Sequence, residues 1–264
     1  MSIMINGFTI TSLEKIHGYD RVNKTCAFLL DELRSATISA TEDTTDITGK
    51  GDRVLKQIKK NKGVTVSGES ALISGGLLAA QTGSEQETGT VTVRMTEIVT
   101  VENTTSITTS ETAKGTVGHE ILDLCIVTDN GGLGKKYEQK DEVSAGAFTY
   151  NPSTKTLTLP TDSENIKVGT KIAIFYDFDT EGSSVKDMSD VFGKTLYLVI
   201  DALATDVCDN EYKCQFVIPR AQFSGEFEIE MGGDQTIQNF EATTLVDTCA
   251  GTTSGELFEF IVYQ

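Results

Sequence analysis

Two histidines, His17 and His119, and five cysteines, Cys26, Cys125, Cys208, Cys214 and Cys249, are the side chains best suited to holding a metal ion or supplying a nucleophile. Their spacing argues against both roles. Zinc sites draw their ligands in close pairs such as CxxC or HxxxH, and neither pair occurs. Each imidazole therefore reads as structural or surface, and each thiol as a small buried or solvent-facing group. The odd cysteine count leaves at least one thiol unpaired in a monomer, although "CDNEYKC" could bring Cys208 and Cys214 across a turn. Wide cysteine spacing fits synthesis in a reducing compartment. Ser70, in "SGESALISGG", lies in no GxSxG elbow. "GKGDRVLK" from Gly49 lacks the phosphate-loop pattern, and "DNGGLGKK" from Asp129 lacks dinucleotide spacing and reads as a turn. "DFDTEG" (177–182) offers carboxylates without the twelve-residue calcium loop, so it reads as a solvated turn, as does "GGDQT" (232–236). No catalytic residue, cofactor or metal ligand is assigned. An enzyme survives only as a minor alternative, centred on Asp177 and Asp179.

The charges offer binding rather than bond-making. The 264 residues carry 39 acids against 22 bases, a formal charge of -17. That balance disfavours a general nucleic-acid coat. Against it stands one basic cluster, Lys50, Arg53, Lys56, Lys59, Lys60 and Lys62. It has no interleaved aromatic for stacking on single strands. Three readings remain open: a contact between copies of this chain, a solvated face, and a nucleic-acid patch, in that order of preference. A head-to-tail contact would set the basic segment against an acidic face and add register and specificity. The complementary acids are at the other end. No base follows Arg220 whereas eight acids do, and in "GEFEIEMGG" Glu226, Glu228 and Glu230 share one face while Phe227 and Ile229 share the other.

The elements that must position these groups read mainly as strands. Trp is absent, Pro occurs only three times, and Gly and Thr are abundant. "FTITSL" alternates, with Phe8, Ile10 and Ser12 on one face. "TCAFLLDEL" (25–33) fits strand or helix, and the Thr-rich run after it reads as a polar β segment and loop. "GDRVLKQIKKNKG" (51–63) also fits both. Val54, Leu55 and Ile58 have helical spacing, with Asp52 and the lysines suited to its two ends, yet "RVLKQI" could extend as a strand. A short helix fits between Leu77 and Gln81. "TGTVTVRMTEIVTVENTTSITTS" (88–110) puts Val91, Val93, Met95 and Glu97 on one face of a strand. "AFTY" and "KTLTLP" read as a hairpin around residues 151–154, and "VGTKIAIFYDFDT" as another strand. No run approaches the roughly 18 apolar residues of a membrane span, and the first residues lack the pattern of a secretory signal.

Three blocks then resemble one family, the bacteriophage major tail tube proteins. They are "GFTITSLEKIHGYD" (7–20) with "CAFLLDELRSATIS" (26–39), "GKGDRVLKQIKKNKGVTVSGESALISGGLLAAQTG" (49–83), and "CQFVIPRAQFSGEFEIEMGGDQTIQNFEATTLVDTC" (214–249). The resemblance implies an antiparallel β-sandwich or partial barrel with a long loop and a short helix. The change of texture between His119 and about Asp187 reads as an additional small β module, inserted or appended at 119–187, which departs from the simplest tubes. The tube domain then has its first part at 1–118, with an interface loop at 40–63, and its second part at 188–264. Such proteins form hexameric rings stacked into a hollow tube through which DNA leaves the capsid. The implied partners are further copies of the chain, tail completion or terminator proteins, and baseplate or distal tail proteins. DNA would pass without specific binding, and no membrane is involved. The chain would be made in the host cytoplasm and end in the virion. Carried over, the basic residues become inter-subunit candidates at the ring-to-ring contact, and Glu226, Glu228 and Glu230 become lumen candidates. The alternatives are a capsid or decoration protein, and a carbohydrate-binding β module.

Overall fold

Alternation of buried and exposed side chains governs most of the chain. The computed structural model describes residues 5, 7–232, 236–246 and 255–264. Cys249 and residues 233–235 of the "GGDQT" segment lie outside them. Strands β1 (Thr9–Asp20), β2 (Cys26–Leu30), β3 (Leu33–Thr48) and β4 (Val54–Ser70) precede the helix α1 (Gly75–Thr82). Next come β5 (Glu87–Thr100), β6 (Ser106–Thr108), β7 (Ile121–Val127), β8 (Leu133–Gln139), β9 (Ala147–Asn151), β10 (Thr156–Thr158) and β11 (Lys171–Ser184). The chain ends with β12 (Thr195–Thr205), β13 (Glu211–Phe223), β14 (Ile229–Glu230), β15 (Ile237–Thr244) and β16 (Glu259–Tyr263).

Two compact units result, one of Met1–Glu87 with Ser184–Gln264 and one of Thr88–Ser183. Residues 88–118, grouped by the sequence reading with the first segment, thus fold with the second unit. The reason is visible in β5, whose odd-numbered face turns Met95, Glu97 and Val99 toward that unit's core.

In the first unit the strands run β2-β1-β12-β13-β15-β4-β3, with β14 on β15 and β16 on β13. The sheet is antiparallel throughout. Strand β13 carries β16 along Lys213–Val217 and β15 along Ala221–Phe223, so the sheet branches there. Its core holds Ile16, Val66, Leu198, Ile200, Ile218 and the rings of Phe28, Phe223 and Phe240. Helix α1 adds Leu77 and Ala80 to that core. Ser74 caps its start by accepting from the Leu77 amide at 3.3 Å. Gly83 ends it at φ 77°, where an added Cβ would stand 2.0 Å from the Phe192 carbonyl oxygen, so only glycine fits.

Two local expectations change and one open alternative is decided. Strand β1 has irregularities at Ile10/Ser12 and Leu13/Lys15. Each shifts the alternation, so Ile10 is exposed while Leu13 and Ile16 face the core. The segment 54–63, which fitted helix and strand alike, is strand. An isolated helix of that length is marginal in water, whereas the β4 ladder is already anchored through buried Val64 and Val66 and finds a β-branched partner in β3. The interface loop read at 40–63 is accordingly a hairpin. Asp177 and Asp179 lie in β11, not in a turn, where they bind Arg94 and Lys114.

The second unit orders its strands β5-β11-β7-β8-β9-β10-β6 around Leu124, Phe148, Leu157, Ile172, Ile174 and Tyr176. Strands β9 and β10 form the hairpin read from sequence. Buried Glu97 accepts from the Tyr176 hydroxyl at 2.5 Å and from the Ser110 amide at 2.9 Å, so its oxygens are satisfied. Lys135, the Tyr137 hydroxyl and Asn165 all donate to Asp162, at 2.6, 2.8 and 2.9 Å, and hold its carboxyl far below the usual range. Arg94 lowers Asp177, and Lys114 with Thr92 lowers Asp179. Because these folded-state values lie below the unfolded ones, the stabilisation is present above the unfolded carboxyl pKa and lost as pH falls through the folded values. Tyrosine near-ultraviolet signals should therefore show this unit weakening between about pH 5 and pH 2. The variant Asp162→Asn should be less stable at neutral pH and lose less on acidification; an unchanged acid profile would contradict the assignment.

Candidate assembly interface

Strand β4 has β3 on one side along its length, but β15 covers its other side only from Thr65 to Ser70. Beyond the Thr41↔Gly63 pair the two strands continue alone as a ribbon, through Asp43↔Lys60, Thr45↔Ile58 and Ile47↔Lys56 to Thr48↔Val54. At ~3.3 Å per residue the seven steps from Thr41 to Thr48 carry it about 23 Å from the sheet. A bulge near Asn61, which has φ 49°, kinks its root. The tip, Gly49–Arg53, closes with the Gly49 amide on the Arg53 carbonyl at 2.8 Å.

The structure brings the six basic candidates together on this ribbon. Lys50 and Arg53 lie in the tip, and Lys56, Lys59, Lys60 and Lys62 on the β4 arm. All six are exposed. Sequence reading missed what faces them: Glu42, Asp43 and Asp46 on the β3 arm. Lys59 meets Glu42 at 2.7 Å, Gln57 donates to Asp46 at 3.0 Å, and Asn61 donates to Asp43 at 3.1 Å. With Asp52 the segment 41–63 holds six bases and four acids, a net charge of +2, so it is a charge-segregated element more than a basic one. Exposed pairs such as Lys59–Glu42 contribute only about 0.2–1 kcal/mol. Lys56, Lys60 and Lys62 have no ionic partner among the described residues. Near the tip Ile47, Val54 and Leu55 are 44%, 57% and 70% exposed. Together they put three apolar side chains in water at one end of the ribbon.

Glu226, Glu228 and Glu230 are exposed while Phe227 and Ile229 are half-buried, so the alternation read from sequence holds. Only Ile229–Glu230 is strand, and the rest is held by the Glu228 amide on Asn239 Oδ1 at 2.7 Å. Glu226 and Glu228 line an open groove of about 520 Å³ with Ser67, Glu69 and Glu241. Glu230 is not part of its wall. Glu69 and Glu241 went unnoticed in sequence because they come from β4 and β15, neighbours only in the folded sheet.

The other chemical candidates stay apart. His17 Nε2 lies 2.9 Å from Asp201, which also accepts from Gln215 at 2.7 Å. His119 is exposed in the second unit. Cys125 and Cys214 are buried, Cys26 and Cys208 exposed, and all four are free. Burial pushes the two inner thiols up. Among the described residues no cluster of three or more His, Cys, Asp or Glu could hold a metal, and no helix is long and apolar enough to cross a membrane.

No curated protein matches the sequence. The model of the YomU/Tube protein family, by contrast, matches residues 8–260. That range takes in both units, the projecting hairpin and the acidic segment at 226–230. The match covers nearly the whole chain, and the chain belongs to the YomU/Tube protein family.

Proposed function

We propose that the chain is the structural subunit of a phage tail tube, assembling as hexameric rings that stack around a channel for DNA. The observation that carries this reading is the hairpin at 41–63, a ribbon exposed on both faces that projects beyond its sheet with apolar side chains at its tip. A two-stranded ribbon is at best marginally stable alone, so it gains most by ordering against another copy. Its tip, with Ile47, Val54 and Leu55, is the part that would reach the next ring, and Lys50 and Arg53 would sit at that contact. The groove acids Glu69, Glu226, Glu228 and Glu241, with Glu230 beside them in the chain, would face the channel. Carboxylates there repel phosphate and let DNA pass without forming ion pairs. The second unit, 88–183, folds around its own core and would decorate or enlarge the basic tube domain. On this reading the chain acts without a bond-making step, resides in the virion tail and meets tail completion and distal tail proteins at the tube ends.

Electron microscopy and sedimentation of the concentrated protein test the proposal. Open rings with six-fold symmetry, or hollow tubes built from them, are expected. A chain that stays monomeric at every concentration, or closes into shells, would overturn it.

A further inference from the structure

The first unit leaves a second group of apolar side chains in water, away from the hairpin. Met188, Val191 and Phe192, in the loop before β12, are 50%, 39% and 80% exposed. A turn in which the Val191 amide donates to the Met188 carbonyl at 3.2 Å keeps the first two close. Phe192 is presented on a fixed backbone. Its carbonyl lies against Gly83 at the end of α1, and Gly193 lies against the Phe223 carbonyl, with no room for a side chain at either glycine. The Lys194 amide then donates to the Ala80 carbonyl at 2.8 Å. A ring on an already immobile backbone loses little freedom when it is covered, and aromatics of this kind are favoured binding anchors. Acids flank it. Asp187 and Asp190 are exposed and have no ionic partner among the described residues, while the neighbouring Lys186 is held by Glu87 at 2.7 Å.

We infer that the loop 187–192 is the seat for the hairpin tip of another copy, with Phe192 packed on that copy's Ile47, Val54 and Leu55, and Asp187 and Asp190 beside its Lys50 and Arg53. This rests on the tube reading and names the surface on which its tip lands. Two arguments select that occupant. The first is charge. The tip sets its exposed apolar side chains beside Lys50 and Arg53, and the loop sets its own beside Asp187 and Asp190. Tip against tip, or loop against loop, would bring like charges together, whereas tip against loop brings opposite ones together. The second is position. Thr195 pairs with Gln222, Gln222 with Thr243, and Thr243 with Thr65, so these four residues stand at one level of the sheet. Three antiparallel pairings separate β12 from β4, so the two strands run in opposite directions. The chain before Thr195 therefore leaves that level toward the Ser70 end of β4. The tip lies the other way, at Val54, about 36 Å along the strand from Thr65. Knob and seat thus stand at opposite ends of the sheet. Copies displaced along the strands place the tip of one on the loop of the next, a head-to-tail contact that repeats at every step and builds a stack rather than a closed dimer.

Charge exchange with rescue tests this on the full-length protein. Asp187→Lys with Asp190→Lys should leave the fold intact, since both carboxylates are in solvent, and should raise the concentration needed for stacking by about tenfold or more. Lys50→Glu with Arg53→Glu should do the same. The four changes together restore opposite charges across the contact and should return stacking toward the wild-type concentration, a rescue that two unrelated surface defects would not give. Phe192→Ser should halt assembly at single rings. Zero-length carbodiimide coupling, which joins lysine to carboxylate, supplies the direct readout. Isotope-labelled and unlabelled chains assembled together should give mixed peptides joining Lys50 to Asp187 or Asp190. Tubes that form without these links and ignore the exchanges, or single exchanges that the fourfold variant does not rescue, overturn the seat and leave the tube reading intact. Links and rescue in filaments that contain no ring or channel uphold the seat and defeat the tube reading. A chain that stays monomeric and unlinked ends both.

Discussion

The double substitution Val54→Ser, Leu55→Ser is expected to leave the chain folded and to reduce its assemblies from tubes to single rings or short stacks. Both side chains are mostly in solvent in the single chain, so their loss removes little internal packing. Surface changes of this kind usually alter stability by less than about 0.5 kcal/mol. At a contact between rings the same side chains would be buried, and burying Val or Leu fully is worth about 1.5–3 kcal/mol each. The pair then contributes about 3–6 kcal/mol per hairpin, repeated at every hairpin of a ring junction. Length distributions in electron micrographs give the readout, with thermal denaturation as the check on folding. Tubes of wild-type length from a normally folded variant would remove the tip from the contact.

The sequence announces strands wherever side chains alternate without interruption. β5, the β9–β10 hairpin and the acidic face at 226–230 were readable for that reason. It hides whatever depends on register. The bulges in β1 move Ile10 out and Leu13 and Ile16 in, and no local residue signals them. The segment 54–60 satisfied helical and strand patterns equally, and the decision came from β3, a partner whose own sequence gave only a polar β tendency. The basic cluster was legible as composition, but its character was not. Glu42, Asp43 and Asp46 lie 11 to 18 residues from the groups that contact them, and only the hairpin makes them neighbours. The same holds for Glu69 and Glu241 beside Glu226 and Glu228. Asp177 and Asp179 looked like turn residues because carboxylates and glycine cluster there. Arg94 and Lys114, 83 and 65 residues away, make them strand residues instead.

Phe223→Ala should cost the first unit about 3–5 kcal/mol, the usual result of emptying a buried aromatic site. The Phe223 ring is 2% exposed and packs edge-on against Phe28, with centroids 5.6 Å apart, and at 6.3 Å from Phe240. Neither neighbour can close the gap easily, because Phe28 lies over Gly18 and Phe240 over Gly68, two glycines whose hydrogens already meet the rings. Such a loss is a large part of the 5–15 kcal/mol that holds a typical domain together. Phe148→Ala makes the matching change in the second unit, where Phe148 is fully buried. Hydrogen exchange resolves the two. Phe223→Ala should accelerate exchange in β12 and β13 by about 10²–10⁴-fold while β7 and β11 keep their protection, and Phe148→Ala should do the reverse. Acceleration spread evenly over both units by either variant would mean one cooperative core rather than two. The consequences for assembly should differ as well. The hairpin is rooted in β4, whose Val66 belongs to the same core as Phe223 and pairs across to Ala242 beside Phe240. Phe223→Ala should therefore weaken ring formation along with the fold, whereas Phe148→Ala should leave rings to form around a loosened second unit.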